Sequence, residues 1–176
     1  MANNYLEQLV AEWYEYQGYF IRRNVNVGKL KRGGYEAELD VVGFHPSKNH
    51  LVHLEPSVDT VSWTEREKRF GKKFEAGRKY IPTLFEGFNL PEEIEQIAVF
   101  AYASKKNHAS IGGGRIVLMT DLLKDIFTDL KTRSILTNSI PEQLPILRTL
   151  QIIAHYGKEF CPILCESPTP ILGERR

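Results

Sequence analysis

The chain has 176 residues, 42% of them hydrophobic, 11% aromatic and 26% charged, with a formal net charge of +1. That length suits one domain with its own core, and the aromatic content excludes a disordered chain. Near-neutral charge lowers the expectation of a tight non-specific nucleic-acid binder, which would carry a basic excess, and no apolar run approaches a membrane span.

The first element is expected as a helix over residues 3–17. Leu6, Leu9, Val10, Trp13 and Gln17 share one face, Asn3 or Asn4 can cap it, and Gly18 ends it. Glu7 falls on the shoulder of that apolar face. Tyr19 to Val27 (YFIRRNVNV) is β-rich and reads as the first strand. Gly28 to Gly34 (GKLKRGG) reads as a turn or a flexible hairpin loop with three bases, Lys29, Lys31 and Arg32. A second strand follows over Tyr35 to Phe44, then a turn holding Pro46, then a third strand over His50 to Ser57.

Trp63 to Ile81 has the period of a second helix. Phe70, Phe74, Gly77 and Ile81 form its buried line, and Pro82 is expected to stop it. Ile94 to Ala103 reads as a buried strand and Arg115 to Met119 as a short one. The Ile111 to Arg115 run (IGGGR) lacks the Gly-Lys-Ser/Thr ending of a phosphate loop and precedes a strand, so it reads as a turn. Thr120 caps a helix over Asp121 to Lys131, and a last helix covers about Pro141 to Tyr156. The tail from Cys161 carries three prolines and is expected to be an irregular strap or to fray.

The order predicts one α/β domain, residues 1–176, with a central mixed sheet flanked by helices, a core over 3–131 and a C-terminal helix and tail over 140–176. Cys161 and Cys165 are the only cysteines. They provide no second pair for zinc and are expected as free, partly buried thiols. The N-terminus lacks a secretory layout, so a cytoplasmic protein with no membrane role is expected.

Two acidic residues interrupt apolar strands. Asp40 sits mid-strand in ELDVVGF, and Glu55 sits near the end of LVHLEPS. A carboxylate in a strand core is costly unless it is paired or bound to a metal. A short turn joins these strands, so they should pair and bring both carboxylates to one hard cation. His53, Glu55 and Ser57 alternate onto one face. For His53 a satisfied polar residue is the ordinary reading, with a third ligand or base as the alternative.

A helix with an early glutamate, then Gly18-Tyr19, a strand-borne Asp40, a turn and a strand carrying Glu55 resembles the PD-(D/E)XK nucleases. The likeness is to the subgroup with Holliday-junction resolvases and Mrr-like restriction endonucleases, and it spans roughly residues 3–80. It implies a restriction-endonuclease-like α-β-β-β-α-β core and a magnesium- or manganese-dependent endonuclease acting on DNA in restriction or repair. It suggests dimers as well. In that family the Asp and Glu bind the metal, the helix glutamate assists, and a lysine two residues after the Glu polarises the attacking water.

Here that position is Ser57, behind Pro56. Serine supplies no positive charge to a developing anion. Family members sometimes carry the lysine on the neighbouring helix. At about 100° per residue, Lys68, Lys72 and Lys79 point away from the buried line, whereas Lys73 lies about 60° from it, beside Arg66 and Arg69. Lys73 is therefore the expected substitute, with Arg69 behind it. The expected catalytic set is Glu7, Asp40, Glu55 and Lys73, with Asp40 and Glu55 as metal ligands. Lys29, Lys31, Arg32, Arg66 and Arg69 are the candidates for contacting nucleic acid. The alternative is a catalytically inactive nuclease-fold protein that binds nucleic acid or a protein partner, its activity lost with the motif lysine.

Overall fold

A computed structural model of the chain describes residues 4–104 and 108–165. Two compact units divide after Ile126, five residues before the expected end of the core.

The first unit is built on a six-stranded mixed sheet flanked by helices, with strand order β1-β2-β3-β4-β6-β5. Helix α1 (Tyr5–Tyr16) is followed by β1 (Phe20–Lys29), β2 (Tyr35–His45) and β3 (His50–Ser57). Asn4 caps α1 by accepting from Leu6 N at 3.0 Å, and the other expected cap, Asn3, lies outside the described residues. Strands β1, β2 and β3 form an antiparallel meander. A 3-10 turn over Pro46–Lys48 joins the last two, with Asn49 left-handed at φ 44. Helix α2 (Trp63–Leu84) then crosses to β4 (Ile94–Phe100), which pairs parallel with β3. Strand β6 (Gly114–Leu118) lies parallel to β4, and the two-residue β5 (Ser110–Ile111) folds back on it.

IGGGR is thus a tight hairpin turn, with Gly112 and Gly113 at φ 55 and 83. Both central residues have positive φ, the signature of a two-residue hairpin turn. Gly112 lies against the backbone of Gly71 in α2, where a Cβ has no room.

Helix α2 starts after Ser62, whose hydroxyl accepts from Glu65 N while the Glu65 carboxylate returns to Ser62 N, a full capping box. Pro82 does not stop this helix, which continues to Leu84. Proline removes only one backbone donor in a last turn, and Ile81 and Phe85, four apart, are both buried in the core against β1–β3. Burial decides where the helix ends.

The alternation of β2 breaks at the candidate aspartate. Leu39 and Val42, three apart, both enter the core cluster with Ala76 and Ile81 of α2. The β1–β2 ladder pairs Arg23 with Val41 and Val25 with Leu39, skipping Asn24 and Asp40. Asn24 is itself left-handed at φ 51. A strand with period 2 cannot place residues three apart on one face without such a local bend.

Helix α3 (Met119–Leu130) follows β6 directly, so Thr120 lies in its first turn instead of capping it. In the second unit α4 spans Pro145–His155 and α5 Gly157–Cys165. The expected start at Pro141 is corrected to Pro145, because Leu144 N closes a turn onto Pro141 O at 3.1 Å. Gln151 ties α4 to the preceding loop, accepting from Ile140 N at 2.8 Å and donating to Asn138 O at 2.9 Å. Cys161 to Cys165 is helical, not an irregular strap, and the rest of the expected tail lies outside the described residues. Both cysteines are exposed, not partly buried. Among the described residues no helix is long and apolar enough to cross a membrane.

Helix α2 seats closely on the sheet at Gly77, where a Cβ would run into the His53 ring. Gly77→Ala should therefore destabilise the fold by about 1–3 kcal/mol through overpacking. Gly157→Ala, facing open space, should change it by under ~1 kcal/mol. Urea unfolding of the two variants checks the difference.

Candidate functional site

Continuing the β2–β3 register one step past Val41–Leu54 sets Asp40 opposite Glu55. There the Glu55 carboxylate takes the place of a strand partner: Asp40 N donates to Glu55 Oε1 at 3.2 Å. Glu55 is 1% exposed. Lys73 reaches across from α2, donating to Asp40 Oδ1 at 2.6 Å and to Glu55 Oε2. These three residues line a cleft of about 260 Å³ together with Glu7, Ser57, Asp59 and Arg69.

Two carboxylates share one ammonium here, and the imbalance shows in their proton affinities. Burial, then the Glu55 charge, pushes Asp40 up to about 7. Burial raises Glu55 as well, against the pull of Lys73. Glu7 is raised by burial and by the Asp40 charge beside it. Burial works against the Lys73 ammonium, but the charges of Glu55 and Asp40 outweigh it and raise its pKa. Lys73 is therefore a fixed positive charge and not a base.

The cleft's other wall holds a second charge cluster. Asp59 accepts from Ser57 Oγ at 2.7 Å and from Arg69, and Arg69 also donates to Ser57 Oγ at 3.1 Å. Burial alone would push Asp59 up, but Ser57, Arg69 and Arg66 hold it below its ordinary range. Ser57, at the position where the family pattern wants lysine, is thus bound to an arginine.

Of the expected nucleic-acid contacts, Arg69 lines the cleft and is 44% exposed. Arg66 is corrected. It is 4% exposed, donates to Asp59 O at 2.6 Å and Tyr102 O at 3.2 Å, and lies over the Trp63 and Phe100 rings. Its guanidinium clamps the strand ends and leaves no face for a phosphate. Lys29 ends β1, and Lys31 and Arg32 sit in the exposed turn beyond it. That turn precedes Asp40 by at least five extended residues of β2, roughly 17 Å, so the structure does not gather these bases at the cleft.

Asp59, which also lines the cleft, was not singled out from the sequence, and Asn4, another lining residue, was read there only as a helix cap. Asp59 lies two residues beyond Ser57 and could have been read as its neighbour across a strand end. His53 is fully buried and hydrogen-bonded to Glu55 Oε1 at 2.7 Å; its ring lies edge-on to Phe74.

The donor set suits a small hard cation. Among the described residues no group of three or more His, Cys, Asp and Glu side chains could hold a metal alone. Magnesium, however, is commonly held by one or two carboxylates plus water and substrate oxygens, and Asp40 and Glu55 offer that pair. Compared with protein-family models, curated proteins and solved structures, the chain matches none.

The raised Asp40 predicts a pH dependence. Unfolded, the group titrates near its ordinary value of about 4, and folded it titrates at about 7. Between these values the folded chain holds a proton that the unfolded chain has released, so this stability is lost as pH rises from about 4 to 7. Asp40→Asn should thus be more stable than wild type at pH 8 without divalent metal, by on the order of 2–4 kcal/mol. The gap should close near pH 4. Thermal unfolding across that range checks it.

Proposed function

We propose that this chain is a magnesium- or manganese-dependent endonuclease that hydrolyses DNA phosphodiester bonds, with a restriction-endonuclease-like core. The observation carrying the reading is that Lys73, from α2, meets Asp40 and Glu55 although the motif position holds Ser57. A lysine supplied from the helix gives the cleft the charge that the strand does not.

In this reading Asp40 and Glu55 hold the cation. When bound, the cation would lower the pKa of water and shield charge developing on the phosphoryl group. Lys73 stabilises anionic oxygen as the water loses its proton. Glu7, which lines the cleft and whose pKa burial raises, orients that water. Arg69, half-exposed beside Ser57, holds a flanking phosphate. The exposed hairpin bases Lys29, Lys31 and Arg32 would meet the backbone further along a bound strand.

A second reading is a nuclease-fold protein without catalysis, binding nucleic acid or a protein partner. The ion pairs of Lys73 favour it, since an ammonium already seated between two carboxylates neutralises part of the charge a cation would seek.

Plasmid and branched-DNA cleavage with magnesium or manganese separates the two. Wild type should cut, and Asp40→Ala and Lys73→Ala should each lose on the order of 100-fold or more in rate. Equal background from all three proteins would leave only the binding reading. Full activity in Lys73→Ala would remove the lysine from the mechanism and spare the rest.

A further inference from the structure

Glu55 is held from behind by a buried chain of hydrogen bonds that begins on the outer face of α2. Arg78 donates to Gln96 Oε1 at 2.5 Å. Gln96 Nε2 donates to the Phe74 carbonyl at 2.7 Å and faces His53 Nδ1 at 3.3 Å. His53 Nε2 meets Glu55 Oε1 at 2.7 Å. Gln96, His53 and Glu55 are 8%, 0% and 1% exposed, so water does not compete for the bonds from Gln96 inward.

The partners fix every direction in the chain. A guanidinium can only donate and a carbonyl can only accept, so Arg78 and Phe74 set the Gln96 amide in one orientation. Its second Nε2 hydrogen then points at His53 Nδ1, which must accept. A neutral imidazole that accepts at Nδ1 carries its hydrogen on Nε2, and that hydrogen goes to Glu55 Oε1. The same oxygen receives Asp40 N, so Oε1 is bound to the protein twice and Oε2 alone turns to the cleft and Lys73.

The fold makes room for this arrangement. Gly77 is the residue of α2 over the His53 ring, and any side chain there would collide with Nδ1 and the neighbouring ring carbon. Gln96 pairs with His53 across the parallel β3–β4 ladder, which puts the amide and the imidazole side by side.

We infer that His53 and Gln96 are positioning residues for Glu55, selecting which of its oxygens faces the cation and substrate. The inference rests on the hydrolase reading of the cleft, because only there does the orientation of Glu55 have a kinetic consequence. Outer partners that orient a metal-binding side chain commonly contribute 10–100-fold to affinity or activity.

The test compares His53→Gln, His53→Leu and Gln96→Leu with wild type in Mn2+ titration and DNA cleavage, with nitrogen NMR of His53. Glutamine can present an N–H where the imidazole Nε2 sits; leucine fills the space without a donor. Wild type should show the Nε2–H tautomer. His53→Gln should keep Mn2+ affinity and kcat within about fivefold of wild type, whereas His53→Leu should lose about 10–100-fold in each with KM for DNA unchanged. A purely structural role would favour leucine or treat the two alike, and that result overturns the inference. So does an Nδ1–H tautomer in wild type, or a folded Gln96→Leu protein that binds and cuts like wild type. A wild-type protein that neither cuts nor takes up Mn2+ overturns the hydrolase reading and this role together; one that cuts while the leucine variants cut equally well overturns this role alone.

Discussion

Two carboxylates, Asp40 and Glu55, face each other across the end of an antiparallel ladder with one ammonium, Lys73, between them. Removing an ion from water costs several kcal/mol even after relaxation, so a site with two anions and one cation is under electrostatic tension. The structure answers that tension locally. Glu55 collects donors from Asp40 N, His53 and Lys73, yet burial still raises it, and burial, then the Glu55 charge, pushes Asp40 up to about 7. A further cation would relieve what remains. The bend in β2 falls at the same place: Asp40 leaves the regular ladder between Leu39 and Val42, both of which stay in the core.

Helix α2 is the element that makes the site possible. Its Phe70, Phe74 and Ile81 are buried and hold it on the sheet, and Gly77 lets it come close enough to cover His53. With the helix seated, Lys73 lands on the carboxylates and Arg69 on Ser57. Arg66, one turn earlier, is drawn under Trp63 and Phe100 and locks the ends of β3 and β4 together. One helix therefore supplies a structural clamp, a cleft-wall arginine and the central lysine, at successive turns along one side of its axis.

Much of this was legible in the sequence because it depends on period and polarity. The three-strand meander follows from alternation and short turns, and Lys73 follows from its angle to the Phe70–Phe74–Gly77 line. What was not legible depends on tertiary partners. Pro82 looks like a stop until Phe85 is seen to be buried beyond it. Arg66 looks like part of a basic stripe until two aromatic rings and two carbonyls are found around it. Gln96 carries no sign of its role in a buried strand, because its partners come from residues 18, 22 and 43 positions away. Ser57 reads as a missing lysine, but the structure pairs it with Asp59 and Arg69.

The central claim is that Asp40 and Glu55 together hold a divalent cation beside Lys73. A crystal structure grown with Mn2+ tests it most directly, through the metal's anomalous signal. The account predicts one strong peak within about 2.0–2.3 Å of an oxygen from each carboxylate, with Lys73 drawn off the Asp40–Glu55 bridge toward a bound water or phosphate. Density with no such peak at saturating Mn2+, and Lys73 still bridging both carboxylates, would contradict it.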